Sequence, residues 1–216
     1  MVEKLLRTKQ EQYWENRFGL EGKMWSTEPS DSALFASQYF QAVGLKKILI
    51  PGFGYGRNAG VFIDNGFDVT GIELSASAVE LAKQTGIRCQ IYQGSVNSMP
   101  FSQEMYDGIF CYALIHLLNR KERKQFLAAC FNQLIDQGIM IFIIASKQME
   151  LFGTGKRLSK NWFEISPGLK VYFYDNESVE KEFAPFGLIS IADIEEPIKY
   201  LEKSAPIKLK RVICRK

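Results

Sequence analysis

Residues 46–60 read Lys46-Lys47-Ile48-Leu49-Ile50-Pro51-Gly52-Phe53-Gly54-Tyr55-Gly56-Arg57-Asn58-Ala59-Gly60. The apolar run Ile48–Ile50 has the composition of a strand buried on both faces. Glycines follow at alternate positions, 52, 54 and 56, and a helix is expected from about Gly56 to Asn65, stopped by Gly66. A strand, a glycine turn and a helix make a nucleotide-binding element. Glycine admits a close backbone approach, and the helix N-terminus favours negative charge.

A second strand is expected over Phe67–Ile72, ending in Glu73. That acid lies about twenty residues past the glycines, where such folds place a carboxylate on ribose hydroxyls. A dinucleotide fingerprint needs G-x-G-x-x-G, with glycine at position 57, and that position is Arg57.

Working outward, residues 1–20 read as a polar helix, followed by the turn-rich connector Trp25–Ser30. Ser30 or Asp31 caps a second helix running to Val43. After Glu73, Ser77 and Glu80 have capping-box spacing, with Ser75 an alternative cap. Strands are expected over Arg88–Tyr92, Asp107–Tyr112 and Ile139–Ala145, with a helix capped by Asn119 and Glu122 and ended by Gly138. The repeated β-α pattern with continuous apolar strands argues for a parallel sheet covered on both faces, its ligand at the carboxyl ends of the strands. Residues 147–174 are too long for an ordinary loop and are expected to form an inserted lid. Leu188–Ala192 and Lys208–Cys214 read as a closing strand pair.

The 216 residues suit one domain, with 1–44 as an N-terminal helical cap. No apolar run approaches the roughly 20 residues of a membrane span, and the first residues lack a signal-peptide core. A cytoplasmic protein without membrane contact is therefore expected. Cys89, Cys111, Cys130 and Cys214 form no C-x-x-C pair, and with a single histidine no metal site is expected. The net charge of +3 resides in residues 203–216, which hold six basic residues and no acid; without them 21 basic face 24 acidic residues. This segment reads as a charged edge strand, with nucleic-acid contact the less favoured alternative.

On these residues the chain resembles class I S-adenosylmethionine-dependent methyltransferases. The spacing of Gly52, Gly54 and Gly56 is similar to their motif I. The Trp25 connector, Gly54–Asn58, Gly71–Ser75 and the basic terminal strand are similar to the small-molecule branch that includes tellurite-resistance and thiopurine methyltransferases. The resemblance implies a Rossmann-like α/β fold with a seven-stranded sheet in order 3-2-1-4-5-7-6, strand 7 antiparallel, and helices on both faces. It implies S-adenosyl-L-methionine as cofactor and S-adenosyl-L-homocysteine as product. Gly52, Phe53, Gly54 and Gly56 would pass close to the methionyl part, with Trp25 and Asn58 beside it. Glu73 would hold the ribose, Leu74 would pack on the adenine, and Ser95 and Val96 would meet its edge. Cys111 and Tyr112 would offer backbone carbonyls to the methionyl amine. The chain departs from the pattern at Ile50, where motif I usually has an acid, and at Ser95, where Asp is common.

An acceptor cavity is expected from Trp25, Tyr112, His116, Phe152 and Trp162, because aromatic walls with few charges suit a small, partly apolar molecule. His116 reads either as a base near neutral pH or as a histidine packed beneath the loop; the second is favoured, since a soft nucleophile needs little base. The expected activity is methyl transfer to a small molecule by a monomer or homodimer. An idle cofactor-binding protein and an RNA or protein methyltransferase are the alternatives. The tetrapeptide Cys111-Tyr112-Ala113-Leu114 lacks the Asn-Pro-Pro-Tyr pattern of amino-group chemistry on bases.

Overall fold

The computed structural model describes residues 8–201 and 204–216. Seven strands form the central sheet: β1 (Lys47–Pro51), β2 (Asp68–Glu73), β3 (Gln90–Gln93), β4 (Tyr106–Tyr112), β5 (Leu134–Ala145), β9 (Leu188–Glu196) and β10 (Ile207–Arg215). Their order is β3-β2-β1-β4-β5-β10-β9. The first five pair in parallel, and β10 runs antiparallel to both β5 and β9. This is the expected order 3-2-1-4-5-7-6.

Helices cover both faces. One core cluster joins Phe40 of α2 (Asp31–Ala42) and Phe62 of α3 (Ala59–Asp64) to Ile48, Ile50, Phe110 and Ile141. The other joins Phe126, Leu127 and Cys130 of α5 (Arg120–Gln133) and Val179 and Phe183 of α6 (Asn176–Phe183) to Leu49, Ile109, Met140 and Phe142. Alternate residues of β1, β4 and β5 thus go to opposite faces, as the period of two requires. Cys111, Cys130 and Cys214 are buried free thiols, and Cys89 is half-buried.

Several boundaries differ from expectation. Gly56 has φ +83°, so the helix starts at Ala59 instead of near Gly56. Ser75, not Ser77, caps α4 (Ala76–Gln84): its hydroxyl accepts from Ala78 N–H at 3.1 Å. The Asn119–Glu122 capping box forms in full, but α5 ends at Gln133, five residues before Gly138. Leu134 already has extended backbone and pairs with Tyr106, and an irregularity before Gly138 absorbs the extra residues. Of the N-terminal helix, Lys9–Glu21 (α1) is described, with a Thr8–Glu11 capping box; residues 1–7 lie outside the described residues.

The basic terminal strand is not an edge. β10 lies inside the sheet and β9 is the edge. Lys210 is only 4% exposed and donates to Asp193 and Asn176, while the Arg211 guanidinium lies 3.5 Å above the Phe35 ring. Two of the basic side chains therefore stabilise interior contacts. The insertion between β5 and α6 forms an antiparallel three-stranded sheet of its own, β6 (Lys156–Ser159), β7 (Trp162–Ser166) and β8 (Leu169–Tyr172). None of the described helices is long and apolar enough to cross a membrane.

The glycine turn is positioned by close packing. The Phe53 ring lies flat on Gly71 of β2, where an added Cβ would meet Phe53 Cδ2 at 2.3 Å. Gly71→Ala must therefore displace Phe53 and overpack the site, at a cost of about 1–3 kcal/mol. We expect its melting temperature to fall by about 2–4 °C per kcal/mol lost. A melting temperature equal to the native value would show that Phe53 moves aside freely.

Candidate active site

A cavity of about 650 Å³ opens at the carboxyl ends of β1, β2, β4 and β5. Its floor is the turn after β1. Gly52 and Phe53 donate their N–H groups to Ile72 O at 2.9 and 3.0 Å, which binds the turn to β2. Gly52 and Gly54 both have positive φ, +72° and +58°, which glycine adopts at no steric cost.

Glu73 organises this floor. Its Oε2 accepts from Gly54 N–H at 2.7 Å and its Oε1 from Ser75 N–H at 2.8 Å. The side chain is only 6% exposed, because backbone donors replace water. Burial raises its pKa, and the bonds from Ser75, Gly54 and Leu74 oppose that rise. A carboxylate has about four lone-pair positions, so these bonds do not exhaust its accepting capacity. Leu74, Ser95 and Val96 line the cavity beside it. Ser95 caps a short 3₁₀ turn, its hydroxyl accepting from Asn97 N–H at 3.3 Å.

The N-terminal connector is clamped onto the glycine turn by residues from that turn. The Tyr55 hydroxyl donates to Ser26 O at 2.6 Å and accepts from Trp25 N–H at 3.2 Å. Trp25 stacks over Tyr55 at 6.3 Å, and Arg57 donates to Trp25 O at 3.1 Å. Asn58 Oδ1 accepts from Ser30 N–H at 2.9 Å. Tyr55 and Arg57, part of the Gly54–Asn58 stretch that carries the branch resemblance, are therefore what hold Trp25 at the cavity. Their partner lies 30 and 32 residues upstream, so the local spacing does not show this role.

A second group missed in the sequence is Glu196, at the end of β9. This buried carboxylate accepts from Asp31 N–H at 2.7 Å, from Ser32 N–H at 3.1 Å and from the Ser32 hydroxyl, and it lines the cavity. It supplies negative charge to the N-terminus of α2 across 165 residues of sequence.

Of the other expected site residues, Tyr112, His116 and Trp162 line the cavity. Gly56 and Cys111 do not: Gly56 packs against Ile87 and Phe53, and the Cys111 side chain is buried in the core below the sheet's other face. Phe152 lies away from it, in edge contact with Phe163 and Phe173 at 5.6 and 5.5 Å. The insertion thus brings Trp162, not Phe152, to the cavity; Phe152 packs its ring edge against Phe163 and Phe173 and stays 36% exposed. The Tyr112 hydroxyl is pushed above its ordinary pKa by burial.

His116 follows an abrupt turn. β4 makes its last ladder bond at Ala113, whose N–H donates to Ile143 O at 2.9 Å, and Ala113 has φ +54°. The chain then folds back through Ile115–Leu117, and His116 Nδ1 accepts from Ala145 N–H at 3.1 Å. The imidazole thus takes the β5 donor that β4 has left, and burial lowers its pKa to about 3.

With this geometry in hand, comparison with known proteins defines the class. Residues 49–142 match the family model described as a methyltransferase domain. No curated protein matches the sequence. The chain superposes on the Burkholderia thailandensis 1,6-didemethyltoxoflavin N1-methyltransferase, crystallised with that molecule and S-adenosylhomocysteine, with a TM-score of 0.73 and 16% identity over 96% of this chain and 87% of that one. It superposes on TehB from Haemophilus influenzae with a TM-score of 0.65 and 16% identity, over 96% and 67%. A protein from work on converting a disulfide to a thioacetal in echinomycin biosynthesis gives 0.73 and 16%, over 95% and 92%. The likenesses at this identity are likenesses of fold. Residues 49–142 match a methyltransferase domain, and the chain has the fold of S-adenosylmethionine-dependent methyltransferases, shared with small-molecule enzymes such as the toxoflavin methyltransferase.

The histidine gives a pH test. Its native pKa lies below the ordinary value of 6.5, so between about 6.5 and 3 the unfolded chain binds a proton that the native chain does not. The stability it contributes is complete above about 6.5 and declines as pH falls, by up to about 1.4 kcal/mol per unit. Urea titrations should therefore show native protein losing up to about 2 kcal/mol of stability relative to His116→Asn from pH 6.5 to 5. Parallel curves would show that the ring is protonated as freely in the native state.

Proposed function

We propose that this chain transfers the methyl group of S-adenosylmethionine to a small-molecule acceptor held in the cavity. The observation that carries the reading is the buried Glu73, anchored by two backbone N–H groups and keeping lone pairs for a ribose beside the glycine turn. The residues fit the cofactor in kind. Glu73 accepts from the two ribose hydroxyls, Leu74 and Val96 give apolar walls for the adenine, and Ser95 offers a hydroxyl to its edge. Gly52, Gly54 and the carbonyl of Tyr112 meet the methionyl group, with Asn58 and Trp25 closing that end. The bound cofactor supplies an electrophilic methyl on a sulfonium, whose leaving group is a neutral thioether. The chain supplies position and water exclusion, which account for much of the acceleration in reactions of this kind.

Trp25, Tyr112, His116 and Trp162 form the acceptor end in this reading. The cofactor-bound complexes of the toxoflavin enzyme and of the glycopeptide N-methyltransferase MtfA support a small acceptor by analogy of fold. The engagement of Lys210 with Asp193 and of Arg211 with Phe35 supports the small-molecule reading over a nucleic-acid surface on β10.

Two measurements test this. A screen of thiol, amine, selenium and tellurium acceptors with labelled cofactor should find turnover, and Trp25→Ala and Trp162→Ala should each lower it. Tight binding without turnover on any acceptor would favour an idle cofactor-binding protein. Calorimetry with S-adenosylhomocysteine, S-adenosylmethionine and NAD should show binding of the adenosyl compounds only. Glu73→Ala should weaken S-adenosylhomocysteine by about one to two powers of ten, the value of one hydrogen bond to a charged group. It should also lower the melting temperature, because Gly54 and Ser75 N–H lose their partner. Unchanged affinity would remove Glu73 from the cofactor.

A further inference from the structure

Resting on the methyl-transfer reading, we infer that His116 positions the acceptor as a fixed hydrogen-bond donor through Nε2–H and does not serve as its base. A neutral imidazole has one donor and one acceptor nitrogen. Nδ1 faces the Ala145 N–H, which only a lone pair can meet, so the ring proton is on Nε2. A base needs the opposite tautomer, with the lone pair on the nitrogen that meets the substrate. The bond to Ala145 forbids it, since a proton on Nδ1 would set two donors against each other in a buried place.

Nε2 is the atom left for a ligand. His116 lines the cavity, and among the described residues Nε2 has no hydrogen-bond partner and is not one of the enclosed, unpartnered atoms. The low pKa of the ring agrees with this tautomer, because a buried donor that stays neutral at pH 7 presents its N–H without a charge.

The carboxylates of the cavity serve the backbone. Among the described residues four carboxylates line it: Glu11, Glu73, Glu122 and Glu196. Each already accepts from backbone N–H. Glu11 accepts from Thr8 and Glu122 from Asn119, at 2.6 and 2.7 Å, and both bonds belong to capping boxes. Glu73 holds Gly54 and Ser75, and Glu196 holds Asp31 and Ser32. The acids of this cavity are structural anchors. With His116 as a fixed donor, the site favours acceptors that carry an oxygen or nitrogen lone pair within reach of the Nε2–H.

The single histidine of the chain makes the test direct. Nitrogen-15 NMR of histidine-labelled native protein with S-adenosylhomocysteine at pH 7 should show a neutral ring protonated at Nε2. His116→Asn puts an amide oxygen where Nδ1 was, keeping the Ala145 bond and removing the donor. His116→Gln carries an amide N–H to the Nε2 position and gives up the Ala145 bond. On the best acceptor of the screen, His116→Asn should lose about tenfold in kcat/KM, mostly through KM, with its melting temperature at pH 7 near native. His116→Gln should keep most of kcat/KM and melt lower. A ring protonated at Nδ1, native kcat/KM in His116→Asn, or equal losses in both variants would overturn the assignment. Failure of every acceptor with native protein would strike the methyl-transfer reading instead, and the NMR tautomer would still judge the donor assignment.

Discussion

The carboxylate of Glu73 accepts the N–H groups of Gly54 and Ser75, and the rest of the site depends on that pair of bonds. They join the turn after β1 to the end of β2 and to the start of α4. A buried carboxylate without donors would be strongly disfavoured, so the turn and the acid stabilise each other. The turn must bend back to present Gly54 N–H, and positive φ at Gly52 and Gly54 makes that possible. Phe53 then faces away into the core, onto the bare backbone of Gly71.

From that fixed floor the walls are built outward. Tyr55, Arg57 and Asn58 reach from the turn to the N-terminal connector and hold it by its backbone. Glu196 performs the same service at the opposite side, on the N-terminus of α2. On the far side of the cavity, α1 and the β6–β8 insertion approach each other: an added Cβ on Gly168 would lie 3.1 Å from Lys9 O. The site is thus assembled from segments at both ends of the chain and from the insertion. In each case a polar side chain, not apolar packing alone, decides where the segment stops.

This use of acids as anchors separates positioning from chemistry. The backbone donors that engage these carboxylates make them precise spacers. His116 follows the same rule with the opposite polarity. Its Nδ1 completes the ladder of β5, and the consequence appears at the other end of the ring.

The sequence by itself determined the sheet. The apolar run at Ile48–Ile50, the strand ending in Glu73 and the run at Ile139–Ala145 are local patterns of period and composition, and they sufficed for the strand order through the family resemblance they carry. The caps at Ser30 and at Asn119 with Glu122 were equally legible, because a cap is set within a few residues. Only the tertiary structure decided what depends on contacts far apart in the chain. Ser75 and not Ser77 caps α4 because the backbone there already serves Glu73. The basic terminal strand became interior because pairing with both β5 and β9 buries Lys210 beside Asp193. Phe152 packs against Phe163 and Phe173 away from the cavity, while Trp162 lines it. Glu196 was invisible as a site residue because its partners, Asp31 and Ser32, lie 165 and 164 residues away. Local periodicity specifies which face of an element is buried; it carries no record of which distant polar group will meet it there.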